Sequence, residues 1–282
     1  MATISQYLID RYSAGPSQAR ASAVAVLQNT IRDVLGDADW DTFLQGSYRN
    51  DTAITDINDV DIVARRKATQ APLSSSDWAR LFNTIADKLR SSYRISGAVS
   101  LGDKCVKLKG TSLNADIVPA AAMGDFGSDP IAIWSRRQQA QRPNSPRTHY
   151  DNGVKKQRRT NDKYKATVRL FKRWVRQYAG YADFGPSFYI ECAVHQVADS
   201  NFSTYLPGSF LQVGREICSW SRYVRINSVA GDKDILVPTE WSPEKFETFK
   251  SRLTTDLGLV AGAITVYSSS EADRLWKRAF GE

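Results

Sequence analysis

The segment from Leu44 to Val63, LQGSYRNDTAITDINDVDIV, constrains the fold of this chain more than any other stretch. Asp59-Val60-Asp61 opens the run Ile62-Val63-Ala64, whose β-branched residues suit a buried pleated surface. Alternate side chains of a strand share a face, so Asp59 and Asp61 point one way while Val60 and Ile62 turn to the core. Neighbouring carboxylates repel unless a cation lies between them, and hard oxygen ligands of this kind suit Mg2+, which takes one or two carboxylates together with substrate phosphates. Gly46-Ser47, after the short run Thr42-Phe43-Leu44, supplies the complementary half. Glycine lets the backbone approach a phosphate, and the serine hydroxyl with nearby amides can bond its oxygens. A lone Asp-x-Asp marks many solvated strand ends and a lone Gly-Ser many turns. In this order, with an apolar run on either side, they read as a phosphate-and-metal site.

A third carboxylate follows. The alternating segment 104–109 and the segment 113–119, LNADIVP, read as strands, and Asp116 interrupts the second of them. On a strand neighbouring Asp59 and Asp61, Asp116 would complete a two-metal site, bind one ion and accept the proton of an attacking hydroxyl. Around these strands the pattern is helical. Val24, Leu27, Ile31, Val34 and Leu35 recur at helical steps over 16–35, and Gly36 follows as a stop. Ser76-Asp77 is placed to cap a helix over 78–93 with Trp78, Leu81, Phe82, Ile85 and Leu89 inward. Residues 123–147, rich in Gly, Pro and Ser, read as a loop-like crossing between two lobes. From Asn161 onward Tyr164, Val168, Phe171 and Val175 form an apolar stripe beside a basic one of Lys165, Arg169, Lys172 and Arg176. Further helices are expected from Pro186, over 243–257 and over 270–280.

The net charge of +8 favours anionic partners, whether nucleic acid, a membrane surface or a triphosphate. The three cysteines are scattered and, with two histidines, build no zinc cluster. No signal peptide is apparent and no apolar run reaches membrane-spanning length, so a cytoplasmic protein is expected.

With these motifs the chain resembles the DNA polymerase β-type nucleotidyltransferases, and among them the bacterial cGAS/DncV-like enzymes (CD-NTases) that make cyclic oligonucleotide signals in CBASS anti-phage defence. The resemblance runs to about Val197 and rests on LQGSYRNDTAI, DVDIV, NADIVPA, THYDNGVKKQRRTNDKYKATVRLFKRW and PSFYIECAVHQV. It implies that Asp59, Asp61 and Asp116 hold two Mg2+ ions, or Mn2+ in their place, and that Gly46 and Ser47 grip the triphosphate. It places Lys172 on the same triphosphate, Ser187 nearby, and Phe188 where a ring stacks on a nucleobase, against the alternative of an ordinary core aromatic. Asn144 falls where one branch of the family carries an asparagine associated with pyrimidine acceptance, against the alternative of a turn residue. The animal cyclic GMP-AMP synthases carry a zinc-binding insertion for DNA sensing that is missing here, which implies no obligatory nucleic-acid activator. The basic cluster over 155–176 then reads as a positive wall around a polyphosphate.

The expectation is an α/β protein of two lobes. Residues 1–145 would form a polymerase β-like core with a mixed sheet and the long N-terminal helix, and residues 146–282 a helical nucleotide-binding lobe. Its activity would be Mg-dependent joining of nucleoside triphosphates into a cyclic di- or oligonucleotide, possible pyrimidine content included, for a downstream effector protein and with no membrane partner. The rivals are an RNA 3′-end-extending or protein-nucleotidylating enzyme of the same fold, and a non-enzymatic nucleic-acid-binding module.

Overall fold

The computed structural model describes residues 3–55, 59–110, 113–125 and 127–282. Asp56, Ile57 and Asn58 of the first motif lie outside the described residues. The chain forms two compact units, one of residues 16–50 and 55–148, the other of residues 1–15, 51–54 and 149–282. The chain-order boundary expected after residue 145 differs from this division at two short segments. Residues 3–15 go with the helical unit because Ile4, Leu8, Ile9 and Tyr12 are buried in its core, and residues 51–54 because Thr52 bonds Lys172 and Glu191 and the Asp51 carbonyl accepts from Arg169.

The first unit is built on a seven-stranded mixed sheet. Its strands are β1 (Trp40–Gln45), β2 (Asp59–Gln70), β3 (Gly97–Leu101), β4 (Val106–Gly110), β5 (Asn114–Ala122), β6 (Ile131–Ser135) and β7 (Ala140–Asn144). The path runs β1-β2-β5-β4-β3, and β6 joins the far half of β5 and carries β7. Among the described strands only β2 and β5 are parallel; every other pair is antiparallel. Of the two N-terminal helices, α1 (Gln6–Ser13) belongs to the helical unit, whereas α2 (Gln18–Leu35) covers the sheet together with α4 (Ser75–Ser91). The four-residue α3 (Gly46–Arg49) follows β1.

Local chemistry accounts for these elements. Ser17 caps α2 through the amide of Arg20, and Gly36 ends it with φ of 90°, a conformation that glycine adopts without a Cβ penalty. The cap of α4 is Ser74 rather than Ser76-Asp77: Ser74 and Asp77 form a reciprocal capping box. The inward face expected for this helix, from Trp78 to Leu89, is buried, packed with Val60, Ile62, Val106, Leu108 and Ile117. Residues 123–147 are not a loop-like crossing, since β6 and β7 form a hairpin there. Ile131, Ala132 and Trp134 are buried, and so short an apolar strand between turn-forming residues gives little periodicity to read.

The second unit is helical. It comprises α1, most of α5 (Pro146–Arg159), α6 (Tyr164–Val175), α7 (Tyr181–Phe184), α8 (Ser187–Gln196), α9 (Leu206–Ser219), α10 (Pro243–Thr265) and α11 (Ser269–Ala279). The apolar stripe of α6 is buried in one core with Ile190, Phe210, Trp241, Phe249 and Trp276. A buried carboxylate ties α6 to α10: Asp256 accepts from Trp174 Nε1 at 2.8 Å and from Gln177 Nε2 at 3.2 Å. Among the described residues no helix is long and apolar enough to cross a membrane.

His195, on α8 against the ring of Tyr164, titrates abnormally. Burial, aided by the positive charge of Lys156, lowers it from 6.5 to about 4. The folded state therefore keeps this ring neutral where the unfolded chain would protonate it. Its contribution to stability is complete above pH ~6.5 and is lost as pH falls toward 4, at most roughly 3 kcal/mol. Urea denaturation of the wild type across this range should show that loss, and His195→Gln should flatten it.

Candidate active site

The sheet unit brings its predicted site residues together through strand register. Asp61 on β2 pairs with Asp116 on the parallel β5, and Asp59 pairs with Asn114. Residues side by side in a ladder share a face. The three aspartates thus stand on one side of the sheet, while Val60, Ile62, Ala115 and Ile117 are buried on the other with α2 and α4. On the opposite flank of β2, Gln45 pairs with Asp61, so Gly46 and Ser47 begin α3 next to that carboxylate. Gly46 has φ of 66°, and a Cβ built there would run into Asp61 Oδ2. Both the backbone conformation and the closeness of the carboxylate exclude a larger residue.

Residues that the sequence did not single out hold the aspartates. Asn114 Nδ2 donates to Asp59 Oδ1 at 3.0 Å. The Cys105 thiol donates to Asp116; burial, and then that carboxylate, pushes it up to about 12, so it stays protonated. The carboxylates are hard oxygen donors of the kind Mg2+ and Mn2+ take. As the side chains stand, no group of three or more His, Cys, Asp or Glu among the described residues converges as a metal cage.

Asn144 is not a turn residue. It ends β7, paired with Ile131, and its Nδ2 donates to Gln45 Oε1 at 3.0 Å. That bond attaches it to the residue whose register partner is Asp61.

In the helical unit, the basic stripe of α6 is not a solvated face. Lys172 is 2% exposed, and its Nζ donates to Glu191 Oε2 at 2.9 Å and to Thr52 Oγ1 at 3.0 Å. Thr52 donates to the same Glu191 oxygen at 2.7 Å, and His149 Nε2 lies 2.9 Å from Oε1. Burial opposes the charge on Glu191, but Lys172 and His149 beside it hold the carboxyl well below the usual carboxylate range. Arg169 bonds the backbone carbonyls of Asp51 and Ser13 at 2.7 and 2.6 Å. The stripe therefore secures residues 51–54. Glu191 carried one sequence signal, a lone acid inside the otherwise uncharged PSFYIECAV; its partner Thr52 carried none.

Ser187 is the exposed first residue of α8, after Pro186. Phe188 is no core aromatic: it is 39% exposed, with Lys233 Nζ 5.5 Å from its ring centroid and the His149 ring at 6.0 Å. An open aromatic face with a cation beside it can stack on a base.

Comparison with known proteins agrees with this arrangement. Residues 151–258 match the cGAS/DncV-like nucleotidyltransferase C-terminal helical domain. The chain is 26% identical over 254 residues to a cyclic UMP-AMP synthase of Rhodothermus marinus, covering 78% of this chain and 87% of that protein. It is 29% identical over 224 residues to a cyclic dipyrimidine nucleotide synthase of Legionella pneumophila, covering 69% of this chain and 74% of the relative. The fold matches the structure of the Rhodothermus marinus synthase with Apcpp and Upnpp at a TM-score of 0.72 and 24% identity, over 90% of this chain and 96% of that one. The mixed sheet and helical unit together have the fold of these synthases. The helical unit carries the C-terminal helical domain of the cGAS/DncV-like nucleotidyltransferases, and over most of its length the chain is similar to bacterial cyclic nucleotide synthases.

Because Lys172 and Glu191 are a buried pair, Lys172→Ala leaves a carboxylate without its counter-ion and should cost about 3–5 kcal/mol of stability. The double replacement Lys172→Met with Glu191→Leu should recover most of that loss. Thermal denaturation of the three proteins checks both outcomes.

Proposed function

We propose that this protein is a cyclic di- or oligonucleotide synthase that joins nucleoside triphosphates with release of pyrophosphate, and that its product contains a pyrimidine. The observation that carries the reading is the register of β2 and β5, which sets Asp61 beside Asp116 with Asp59 on the same face and Gly46-Ser47 adjoining. Asp59, Asp61 and Asp116 would hold two Mg2+ ions, or Mn2+. When bound, these ions lower the pKa of an attacking 2′- or 3′-hydroxyl and neutralise the charge of the departing pyrophosphate. Asn114 and Cys105 keep two of the carboxylates oriented. In this reading Asp116 takes the hydroxyl proton, and Gly46 with Ser47 receives the phosphate oxygens. Lys172, Ser187 and Phe188 are the helical unit's nucleotide contacts in this reading. The burial of Lys172 against Glu191 means that it would meet a phosphate as one member of a fixed polar cluster, and the exposure of Phe188 suits base stacking.

Asn144 supports the pyrimidine part. Its bond to Gln45 fixes the carboxamide, and Oδ1 is left to accept from a base edge that donates, such as the N3–H of uracil. Adenine also donates, through its amine, so Gln45 and Asn144 act as a pair in this discrimination. Similarity to a cyclic UMP-AMP synthase and to a cyclic dipyrimidine synthase supports the same reading. The product would be read by a downstream effector in anti-phage defence, with no nucleic-acid activator required.

The test is incubation with all four nucleoside triphosphates and no primer, with the products resolved by mass. A phosphatase-resistant cyclic product is expected, and primer-dependent extension or labelled protein alone would instead establish the neighbouring activities of this fold. Asp59→Ala with Asp61→Ala should abolish pyrophosphate release and leave the melting temperature within a few degrees. Asn144→Ser should move incorporation toward purines about ten-fold while total turnover persists, since one hydrogen-bonded pair in a dry pocket is worth about 1–3 kcal/mol. An unchanged product profile would remove Asn144 from base selection.

A further inference from the structure

The aspartate face of the sheet does not end at β5. Asp116 pairs with Lys107 on the antiparallel β4, and Asn114 pairs with Lys109. Val106 and Leu108 are buried on the helix-covered side, so Lys107 and Lys109 project on the side of the aspartates, and both are exposed. The ammonium group of neither makes an ion pair or hydrogen bond with any described residue. Lys107 sits opposite Asp116 yet does not neutralise it, for that carboxylate is taken by the Cys105 thiol. Lysines often guard the edge strand of a sheet, but β4 is interior, and the edge strand β3 presents Ala98 and Ser100 on this face instead.

The position of these lysines follows from the geometry of the reaction. The phosphate-gripping Gly46-Ser47 lies on the β1 flank of Asp61. In an in-line displacement the attacking and leaving oxygens lie on opposite sides of the transferred phosphorus. If pyrophosphate leaves toward β1, the attacking nucleotide approaches from the opposite flank, over β5 and β4. That nucleotide carries phosphates of its own, brought beside three carboxylates and a second triphosphate, and so much negative charge needs further cations. Adjacent strands are about 4.8 Å apart and alternate residues about 6.8 Å, so the two ammonium groups span the length of a phosphate chain beside Asp116.

We propose that Lys107 and Lys109 form a binding site for the 5′-phosphates of the acceptor in the first transfer, the nucleoside triphosphate whose hydroxyl attacks. The inference rests on the nucleotidyl-transfer reading above and adds to it a second anion site on the far side of the aspartates. Its consequence is a preference, in that first transfer, for acceptors that keep their 5′-phosphates, so that the linear product carries the triphosphate that ring closure then attacks with release of pyrophosphate.

Binding is measured by calorimetry in EDTA, so that no metal bridges the phosphates. The probe is an adenosine triphosphate analogue with a methylene bridge between the α- and β-phosphorus, which cannot be turned over. The wild type should bind two equivalents, one at Gly46-Ser47 and one at the lysines. K107A/K109A should bind only one, and K107R/K109R should bind two. R80A/R90A, which removes the same number of charges from the helix-covered side, should bind two as well. In turnover with Mg2+, K107A/K109A should lose discrimination between phosphorylated and unphosphorylated acceptors in the first transfer while the KM for the donor triphosphate stays the same. A wild type that binds a single equivalent, a K107A/K109A protein that binds two, or an equal loss in R80A/R90A overturns the proposal. Failure of the underlying reading looks different: the wild type would release no pyrophosphate from any nucleoside triphosphate, whatever stands at 107 and 109, and the proposal would fall with it.

Discussion

The parallel pairing of β2 with β5 is the constraint on which the aspartate face depends. Parallel strands need a crossover between them, and here it is supplied by α4, β3 and β4. That excursion covers one face of the sheet with a helix and returns the chain with Asp116 beside Asp61. A slip of one residue in this register would turn Asp116 into the apolar layer occupied by Ala115 and Ile117. The same buried layer that makes the sheet stable therefore fixes which carboxylates meet. Gly46 belongs to this constraint, since only a residue without a Cβ can stand so close to Asp61.

The helical unit solves a different problem. A lysine, a glutamate, a threonine and a histidine are buried together, and each has a partner in the cluster. Such a cluster is a modest source of net stability, because desolvation offsets much of the attraction, but it tolerates no single deletion. It holds Thr52, and with it the segment that follows the Gly-Ser motif in the chain. A residue that the family resemblance assigns to phosphate binding is thus also part of the packing, and substitution there cannot be read as a binding effect alone.

Relatives of this chain at similar identity include a cyclic UMP-AMP synthase and a cyclic dipyrimidine synthase. In the proposed function the aspartate face and its Gly-Ser partner perform the transfer, and base choice then lies in a small number of side chains outside it. Gln45 and Asn144 fit that description because β1 carries one of them directly beside Asp61 and their hydrogen bond orients the other.

Much of this was legible in the sequence. Period-two alternation around Asp59 and Asp61 specified their common face, and Gly36 marked the end of α2, because these signals act between residues close in the chain. Asp116 could be named as a strand carboxylate from its own neighbours. Three things were decided only by tertiary structure. The hairpin of β6 and β7 draws its stability from pairing with β5, not from its own five-residue strands, so its sequence reads as loop. The burial of Lys172 depends on Glu191 and Thr52, which lie 19 and 120 residues away, and a basic stripe looks the same in sequence whether water or a carboxylate faces it. The lysines of β4 became neighbours of the aspartates only through strand register, which long-range packing sets and local sequence does not encode.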